Sequence, residues 1–394
     1  MSEVNFSKNG NSLTLSLVGH IDSANANATE ERINGILAEN PAGEIVIDCE
    51  NLGYISSAGL RIILRLKKTV KETKLVNVSP DVYEIFDMTG FTEIMEIHKA
   101  YRRISVEGCE VIGQGANGKV YRIDKDTIVK VYMNEDSLSE IHRERELART
   151  AFVLGVPTAI PYDVVRIEGG GYGSVFELLN AKSFAKLLAS GEKSVEEIAE
   201  MSVKLLKTIH STVVKSDVLP DVKVSASGWS DYMKGILSEK TYEKLRDLIA
   251  AIPSDNHMIH GDYHVKNVMY QNGESLLIDM DTLSVGNPVF EFAGIYNAYV
   301  GRAKTADGDF SDFLGIPYAT AGELWNKIIT LYFDGADAEK IALAEKKAKI
   351  VGYVRLLRHL VRAGELNTEH GAKAAEFYKK ELEELVPETD DLAF

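Results

Sequence analysis

The sequence is poor in cysteine, in basic relative to acidic residues, and in long apolar runs. Cys49 and Cys109 are its only cysteines, too few for a disulfide framework or a zinc site, so we expect two reduced thiols. With 44 Lys and Arg against 59 Asp and Glu, the net charge of −15 disfavours nucleic acid or an anionic membrane as a partner. No apolar run approaches the ~20 residues that span a bilayer, and the first residues lack the pattern of a signal peptide. We therefore expect a cytoplasmic protein.

Two patterns follow one another along the 394 residues. In the first hundred, strand-like runs (SLTLSLVGHI, EIVIDC, KLVNVS) alternate with amphipathic helical segments, and NLGYIS is predicted as a loop. This alternation predicts one sheet with helices packed on it. From Val106 the order changes to a β-rich part followed by a mainly helical part. We expect one domain at residues 1–104 and a second at 105–394, divided into lobes at 105–179 and 180–394.

A glycine-rich segment precedes a lysine that lies in an apolar strand. Gly113, Gly115 and Gly118 would let the backbone approach phosphate oxygens, and Val120 would cover an adenine. A GxGxxG pattern alone also opens dinucleotide-binding folds or forms a plain hairpin, but this one lies between two strands rather than before a helix. Lys130, in IVKV, is costly to bury unpaired. We expect it to contact the α- and β-phosphates and a helix carboxylate.

The carboxylate that pairs with Lys130 is not decided by the sequence. Glu144 and Glu146 both lie in the next helical segment, and only one of two residues spaced in this way can face a cleft. We favour Glu144, and the other would be a solvated helix charge.

The segment HGDYHVKN and the later LLIDMD carry the strongest chemical signal. Phosphoryl transfer needs a carboxylate that orients the attacking hydroxyl, together with oxygen ligands for Mg²⁺. Asp262 suits the first task, and Asn267, in the same loop, can reach the metal. Asp279 ends an apolar strand and suits a ligand of Mg²⁺ between the β- and γ-phosphates. We therefore predict an ATP- and Mg²⁺-dependent phosphotransferase.

These motifs resemble those of the aminoglycoside phosphotransferase and choline kinase group. The resemblance covers about residues 105–300 and implies an α+β bilobal protein-kinase-like fold. It implies that adenine binds at a hinge containing Glu177 and Leu179. It further implies that His260 supports the catalytic loop and that Asp281 is a second acidic residue near the metal.

The first hundred residues resemble a STAS domain of the anti-sigma factor antagonist type, an α/β fold with a mixed sheet and helices. The resemblance rests on SLVGHID, IVIDCENLGYISSAGLRIIL and LVNVSPDVYEIFDMTGF. In that family a serine at the start of the helix is phosphorylated, which maps to Ser57, with Ser56 where an Asp is common. The alternative is that either serine caps the helix. A phosphate at this helix start would meet free N–H groups and the positive end of the helix dipole.

Two functions remain open from the sequence. The first is an active kinase, regulated by its STAS domain, that phosphorylates a hydroxyl-bearing small molecule. The second is a signalling protein of the anti-sigma factor antagonist type. Its kinase-like domain either phosphorylates a STAS serine, its own or that of a protein partner, or acts mainly as a binding module. The acceptor and the choice between ATP and GTP are not readable from the sequence.

Overall fold

The structure is a computed structural model that describes residues 3–394 except 116–117, 135–136, 180 and 216. The chain divides into two compact units, Met1–Ser105 with Val165–Glu168, and Val106–Val164 with Gly169–Phe394. Each unit has its own hydrophobic core. Within the described residues, no helix combines the length and the apolar character that crossing a membrane requires.

The first unit is built on one mixed sheet in the order β1-β2-β3-β4-β5. Its strands are β1 (Glu3–Asn9), β2 (Ser12–Ile21), β3 (Glu44–Ile55), β4 (Glu72–Val78), β5 (Glu96–Lys99) and, outside this sheet, β6 (Arg102–Ile104). Its helices are α1 (Ala26–Glu39), α2 (Ser57–Thr69), α3 (Pro80–Met88) and α4 (Phe91–Ile94). Strands β1 and β2 are antiparallel, and β2 to β5 are parallel.

Alternating side chains explain why these segments form a half-buried sheet. In β2 the buried side chains are Leu13, Leu15, Leu17 and Ile21, and the residues between the three leucines are less buried. The prediction of a loop at NLGYIS is wrong, because β3 continues to Ile55. Its pairing with β2 shifts register twice, and such bulges let a strand continue through residues that interrupt the alternation.

The second unit begins with a β-rich part and continues mainly as helices. Its strands are β7 (Glu110–Gly115), β8 (Gly118–Arg122), β9 (Thr127–Tyr132), β10 (Pro161–Ile167), β11 (Tyr172–Glu177), β12 (Lys182–Ser183), β13 (Met258–Ile259), β14 (Val268–Gln271), β15 (Glu274–Leu277), β16 (Ser284–Val285), β17 (Phe310–Ser311) and β18 (Ile316–Pro317). Its helices are α5 (Leu138–Val153), α6 (Phe184–Ala189), α7 (Val195–Ser211), α8 (Val222–Ala226), α9 (Glu239–Ala251), α10 (Val289–Tyr296), α11 (Tyr318–Tyr332), α12 (Ala338–Ala363) and α13 (Glu369–Leu385). The strands follow one another across the sheet as β10-β11-β9-β8-β7.

The glycine-rich segment forms the hairpin between β7 and β8. Its central residues 116–117 lie outside the described residues. A Cβ atom on Gly118 would lie 2.2 Å from the carbonyl oxygen of Val131 in the neighbouring strand β9, so glycine is required here by close packing of the two backbones. Strands β7, β8, β9 and β11 pair antiparallel.

The helical part is packed around large buried aromatic side chains. Phe292 of α10 contacts Trp325 and Tyr332 of α11, with ring centroids 6.2 and 4.7 Å apart. Trp325 also packs on Tyr296 of α10 at 5.3 Å. Such edge-to-face contacts stabilise the folded state by more than the burial of their apolar area alone would. They pack α10 against α11, and α10 in turn contacts the loop between β13 and β14 through Glu291.

Candidate active site

Lys130 lies at the centre of a group of charged side chains. Its Nζ atom is 2.9 Å from Glu144 Oε1 and 3.0 Å from Asp279 Oδ1. The hydroxyl of Tyr132 donates a hydrogen bond to Glu144 Oε2. Burial lowers the pKa of Lys130, but the charges of Glu144 and Asp279 outweigh burial and hold the pKa above its ordinary value. The lysine is therefore a fixed cation whose charge persists at neutral pH.

Helix α5 decides which carboxylate meets Lys130. Ile141 and Leu147 lie three residues on either side of Glu144, and all three are buried on one face. Glu146 is exposed. Of the two carboxylates that the sequence left open, Glu144 is the one that forms the ion pair.

The glycine-rich hairpin presents its inner strand next to Lys130. Val120 lies directly opposite Lys130 in the register of β8 and β9, so both side chains project from the same face of the sheet. Gly113 is opposite Val120, and Gly115 is opposite Gly118. The three glycines predicted to approach phosphates therefore lie in the same two strands as Val120. Gly118 is in the strand next to that of Lys130, and Gly113 and Gly115 are one strand further away.

Asp262 lies in the loop of residues 260–267, between β13 and β14. Its Oδ2 atom is 3.5 Å from His264 Nε2, and Asn267 Nδ2 donates to its backbone carbonyl at 3.0 Å. Burial raises the pKa of Asp262, but the hydrogen bond and charge of His264 outweigh burial and hold the pKa below its ordinary value. The carboxylate therefore stays ionised at neutral pH and can accept a hydrogen bond from a hydroxyl group.

His260 is fully buried and ties this loop to the segment that carries Asp279. Its Nδ1 atom accepts from the backbone N–H of Asp262 at 3.3 Å, so Nε2 carries the proton and donates to the carbonyl of Ile278 at 3.2 Å. The hydroxyl of Thr282 donates to the His260 carbonyl at 2.8 Å. These contacts give His260 a supporting position and leave neither ring nitrogen directed at a substrate.

Asp279 follows β15 and has a left-handed backbone, with φ 64° and ψ 68°. A residue with a side chain adopts this conformation at a cost, and such residues cluster at functional sites. Burial and the charge of Asp279 raise the pKa of Asp281 to about 6, although Lys130 opposes this shift. Two carboxyl groups placed so that the charge of one acts on the other form a place where a cation would be stabilised.

The charged group around Lys130 and the loop that carries Asp262 meet beside Asp279. The backbone N–H of Ile278 donates to the carbonyl of Asn267 at 3.0 Å, which joins the loop of Asp262 to the residue before Asp279. The charge of Asp262 also acts on Asp281. The structure thus brings together residues from four separate parts of the sequence. They are Lys130, Glu144, Asp262, Asn267 and Asp279.

The predicted hinge residues lie at the end of β11. Glu177 is the last residue of this strand and is exposed, while Leu179 follows it and is half-buried. The backbone N–H of Leu178 donates to the carbonyl of Asp126 at 2.8 Å. Ser174 of the same strand lies opposite Lys130. Glu177, the first of the two predicted hinge residues, therefore comes three residues after the position that faces Lys130.

Glu291 is a site residue that the sequence reasoning missed. This carboxylate is fully buried in α10 and accepts hydrogen bonds from the backbone N–H groups of His260 and Gly261, the latter at 3.0 Å. His210 Nε2 lies 3.7 Å from its Oε2 atom. Glu291 therefore fixes the residues just before Asp262. The signal that could have revealed it is a single acidic residue within the apolar helical run VFEFAGIY.

The two serines at the start of α2 have different environments. The Ser56 side chain accepts from the backbone N–H of Gly59 at 3.4 Å and caps the helix. Ser57 is the first residue of the helix and is exposed. Of the two hydroxyl groups, that of Ser57 is the more accessible.

Residues 3–104 match the STAS domain family, and residues 108–323 match the phosphotransferase enzyme family APH. BtrV of Bordetella bronchiseptica, described as an anti-sigma factor antagonist, is 36% identical over 87 residues, which cover 21% of this chain and 72% of that protein. The anti-sigma F factor antagonist of Paenibacillus polymyxa is 27% identical over 90 residues, which cover 22% of this chain and 77% of that protein.

Among solved structures, a thermostable mutant of the aminoglycoside phosphotransferase APH(4)-Ia, in a ternary complex with ADP and hygromycin B, is similar in fold. The similarity covers 72% of this chain and 94% of that chain, with a TM-score of 0.50 and 11% sequence identity. At this identity the likeness shows a common fold alone.

Proposed function

Because the chain belongs to the phosphotransferase enzyme family through residues 108–323 and carries a STAS domain at residues 3–104, we propose an ATP-dependent kinase with a regulatory domain. Residues 105–394 transfer the γ-phosphate of ATP, in the presence of Mg²⁺, to a hydroxyl group of an acceptor. Residues 1–104 form the STAS domain that regulates this activity or serves as its signalling module.

The observation that carries this proposal is the ion pair of Lys130 with Glu144 and Asp279. A largely buried lysine held by two carboxylates is a preorganised cation, which suits the negative charge of the α- and β-phosphates. The backbone of Gly113, Gly115 and Gly118 would complete the phosphate site. Val120, Glu177 and Leu179 would contact the adenine.

Asn267 and Asp279 fit a Mg²⁺ ion by the chemistry of their donors, since this ion prefers amide and carboxylate oxygens. Asn267 Nδ2 donates to Asp262, which orients the amide and leaves its oxygen for a cation. A bound cation would shield the charge of the phosphates. Asp262 would orient the acceptor hydroxyl and take up its proton.

Transfer of labelled γ-phosphate tests the proposal, with and without Mg²⁺, in a screen of hydroxyl compounds. Glu144→Gln should weaken nucleotide binding and turnover, because Lys130 loses a charged partner. Glu146→Gln is the matched control, since this side chain is exposed on the same helix and should leave both unchanged. Equal activity of the two variants would contradict the assignment of the Lys130 pair.

A second candidate function is a signalling protein of the anti-sigma factor antagonist type, whose kinase-like domain phosphorylates a STAS serine or acts as a binding module. It is favoured by the STAS match of residues 3–104, by the similarity of 87 residues of the chain to BtrV, and by the exposed Ser57 at a helix start. Mass spectrometry after incubation with Mg·ATP would find phosphate on Ser57 of the wild type and not of Asp262→Asn. If the wild type carried no phosphate on Ser56 or Ser57 but still transferred phosphate to a metabolite, self-phosphorylation would be excluded.

A further inference from the structure

Two cations lie over the ring of Phe313, which packs next to a neighbour of Asp262. The ring of Phe313 lies 4.9 Å from the ring of His264, whose Nε2 atom is 3.5 Å from Asp262 Oδ2. Over the same phenyl ring lie the guanidinium of Arg302, at 5.2 Å from its centroid, and the ammonium of Lys266, at 5.8 Å. Arg302, Lys266 and Phe313 are all exposed. We call these three side chains the Phe313 cluster.

A second arginine lies directly behind Asp262. Arg355 of α12 donates through Nη2 to the carbonyl of Gly261, and through Nη1 to that of Phe290, both at 3.2 Å. Its charge acts on Asp262 and also on Arg302. The Phe313 cluster and Arg355 therefore form one region of positive charge that adjoins the proposed position of the acceptor hydroxyl.

Asp262 and Glu291 partly balance the charge of Arg355, whereas Arg302 and Lys266 form no ion pair with a carboxylate among the described residues. In the part of the chain that the structure describes, no ion pair joins Arg302, Lys266 or Arg355 to an acidic side chain, and their contacts are aromatic rings and backbone carbonyls. Asp312, next to Phe313 in sequence, forms no such pair either. In a chain with 59 acidic and 44 basic residues, cations that adjoin a site and lack acidic partners need an explanation.

We infer that the acceptor is a small hydroxyl compound that also carries a carboxylate or phosphate group, and that Arg302 and Lys266 bind this group. The planar guanidinium pairs with the two oxygens of such a group, and Phe313 keeps both cations in place. The inference rests on the proposed function, because it places the acceptor hydroxyl at Asp262. In the transfer, the hydroxyl oxygen forms a bond to the γ-phosphorus while the bond from that phosphorus to the bridging oxygen of ADP breaks. The hydroxyl proton passes to Asp262.

The test measures binding separately from turnover. The full chain is saturated with Mg·ADP, so that the nucleotide site is filled, and is titrated at constant ionic strength with glycerol, glycerate, glycerol 3-phosphate and choline. Binding is followed by the rise in melting temperature. We expect glycerate or glycerol 3-phosphate to bind more tightly than glycerol or choline, and the comparison of these two anions distinguishes a carboxylate from a phosphate group.

Arg302→Gln and Lys266→Gln should each weaken binding of the anion by about tenfold, the usual effect of losing a hydrogen bond to a charged group. Lys304→Gln is the matched control, because Lys304 is exposed on the same helical turn as Arg302 but is not one of the cations found over the Phe313 ring. The same affinity in Arg302→Gln and Lys304→Gln, or tighter binding of choline than of both anions, would overturn the inference. If the chain does not bind nucleotide but its affinity for the anion still depends on Arg302, the proposed kinase function is contradicted and the anion site is supported.

Discussion

Glu291→Gln tests whether one buried carboxylate holds the loop of Asp262 in place. Gln has nearly the same shape, but its NH₂ group must face one of the two backbone N–H donors, those of His260 and Gly261. A buried donor left without an acceptor costs about 1–3 kcal/mol. The substitution also removes the negative charge that lies 3.7 Å from His210 Nε2. We therefore expect the second unit to lose about 1–3 kcal/mol of unfolding free energy, the cost of the unsatisfied donor.

Urea unfolding of the full chain measures this loss, because both tryptophans, Trp229 and Trp325, are buried in the second unit and report on it alone. Glu243→Gln, an exposed change on α9, is the control and should shift the unfolding free energy by less than about 0.5 kcal/mol. Turnover should fall with Glu291→Gln even at temperatures where the variant remains folded. A variant as stable as the control would refute the reasoning.

The pH dependence of Glu291→Gln has a definite sign. Burial raises the pKa of Glu291, but His210 and His260 outweigh burial and lower it below the ordinary value. A carboxyl group with a lowered pKa in the folded state stabilises at neutral pH, and this contribution is lost as the pH falls through that pKa. The difference in unfolding free energy between wild type and variant should therefore narrow in acid. A difference that grows in acid would contradict the lowered pKa.

Three further predictions concern the same chain. Lys130→Ala should weaken nucleotide binding, measured by calorimetry, because Lys130 is the fixed cation of the site, and unchanged affinity would contradict its role. Asp262→Asn should lower kcat by about 10²–10⁴-fold and alter ATP affinity much less, and equal losses of both would argue against a role confined to the acceptor hydroxyl. Residues 1–104 should fold when expressed alone, since their apolar faces close on a core of their own. A circular dichroism spectrum of an unfolded chain would show that this part depends on the rest.

The sequence predicted the architecture well wherever local patterns and burial agree. The alternation that predicted β2, α2 and β4 is confirmed, because each has one buried face and a polar stretch at its ends. Strand β1 was not predicted, since only Val4 of its seven residues is buried and no alternation marks it. The extension of β3 to Ile55 was missed because bulges break the regular pattern.

The site is less readable from the sequence than the fold. The spacing of Asp262, Asn267 and Asp279 indicates their chemistry, and their assigned roles stay predictions. The choice between Glu144 and Glu146 required the helix face, which depends on packing. Glu291 was missed because a buried acid in an apolar helix has no motif of its own, and only its contacts reveal its role.

The left-handed backbone of Asp279 has a consequence for laboratory evolution. A residue with a side chain pays about 1–2 kcal/mol for this conformation, whereas glycine adopts it freely. Selection of variants for heat resistance alone should therefore enrich glycine at this position and discard the carboxylate that contacts Lys130. Selection for phosphate transfer should remove the same variants. At position 279 the residue that gives the most heat-stable protein is thus expected to differ from the residue that gives the most active one.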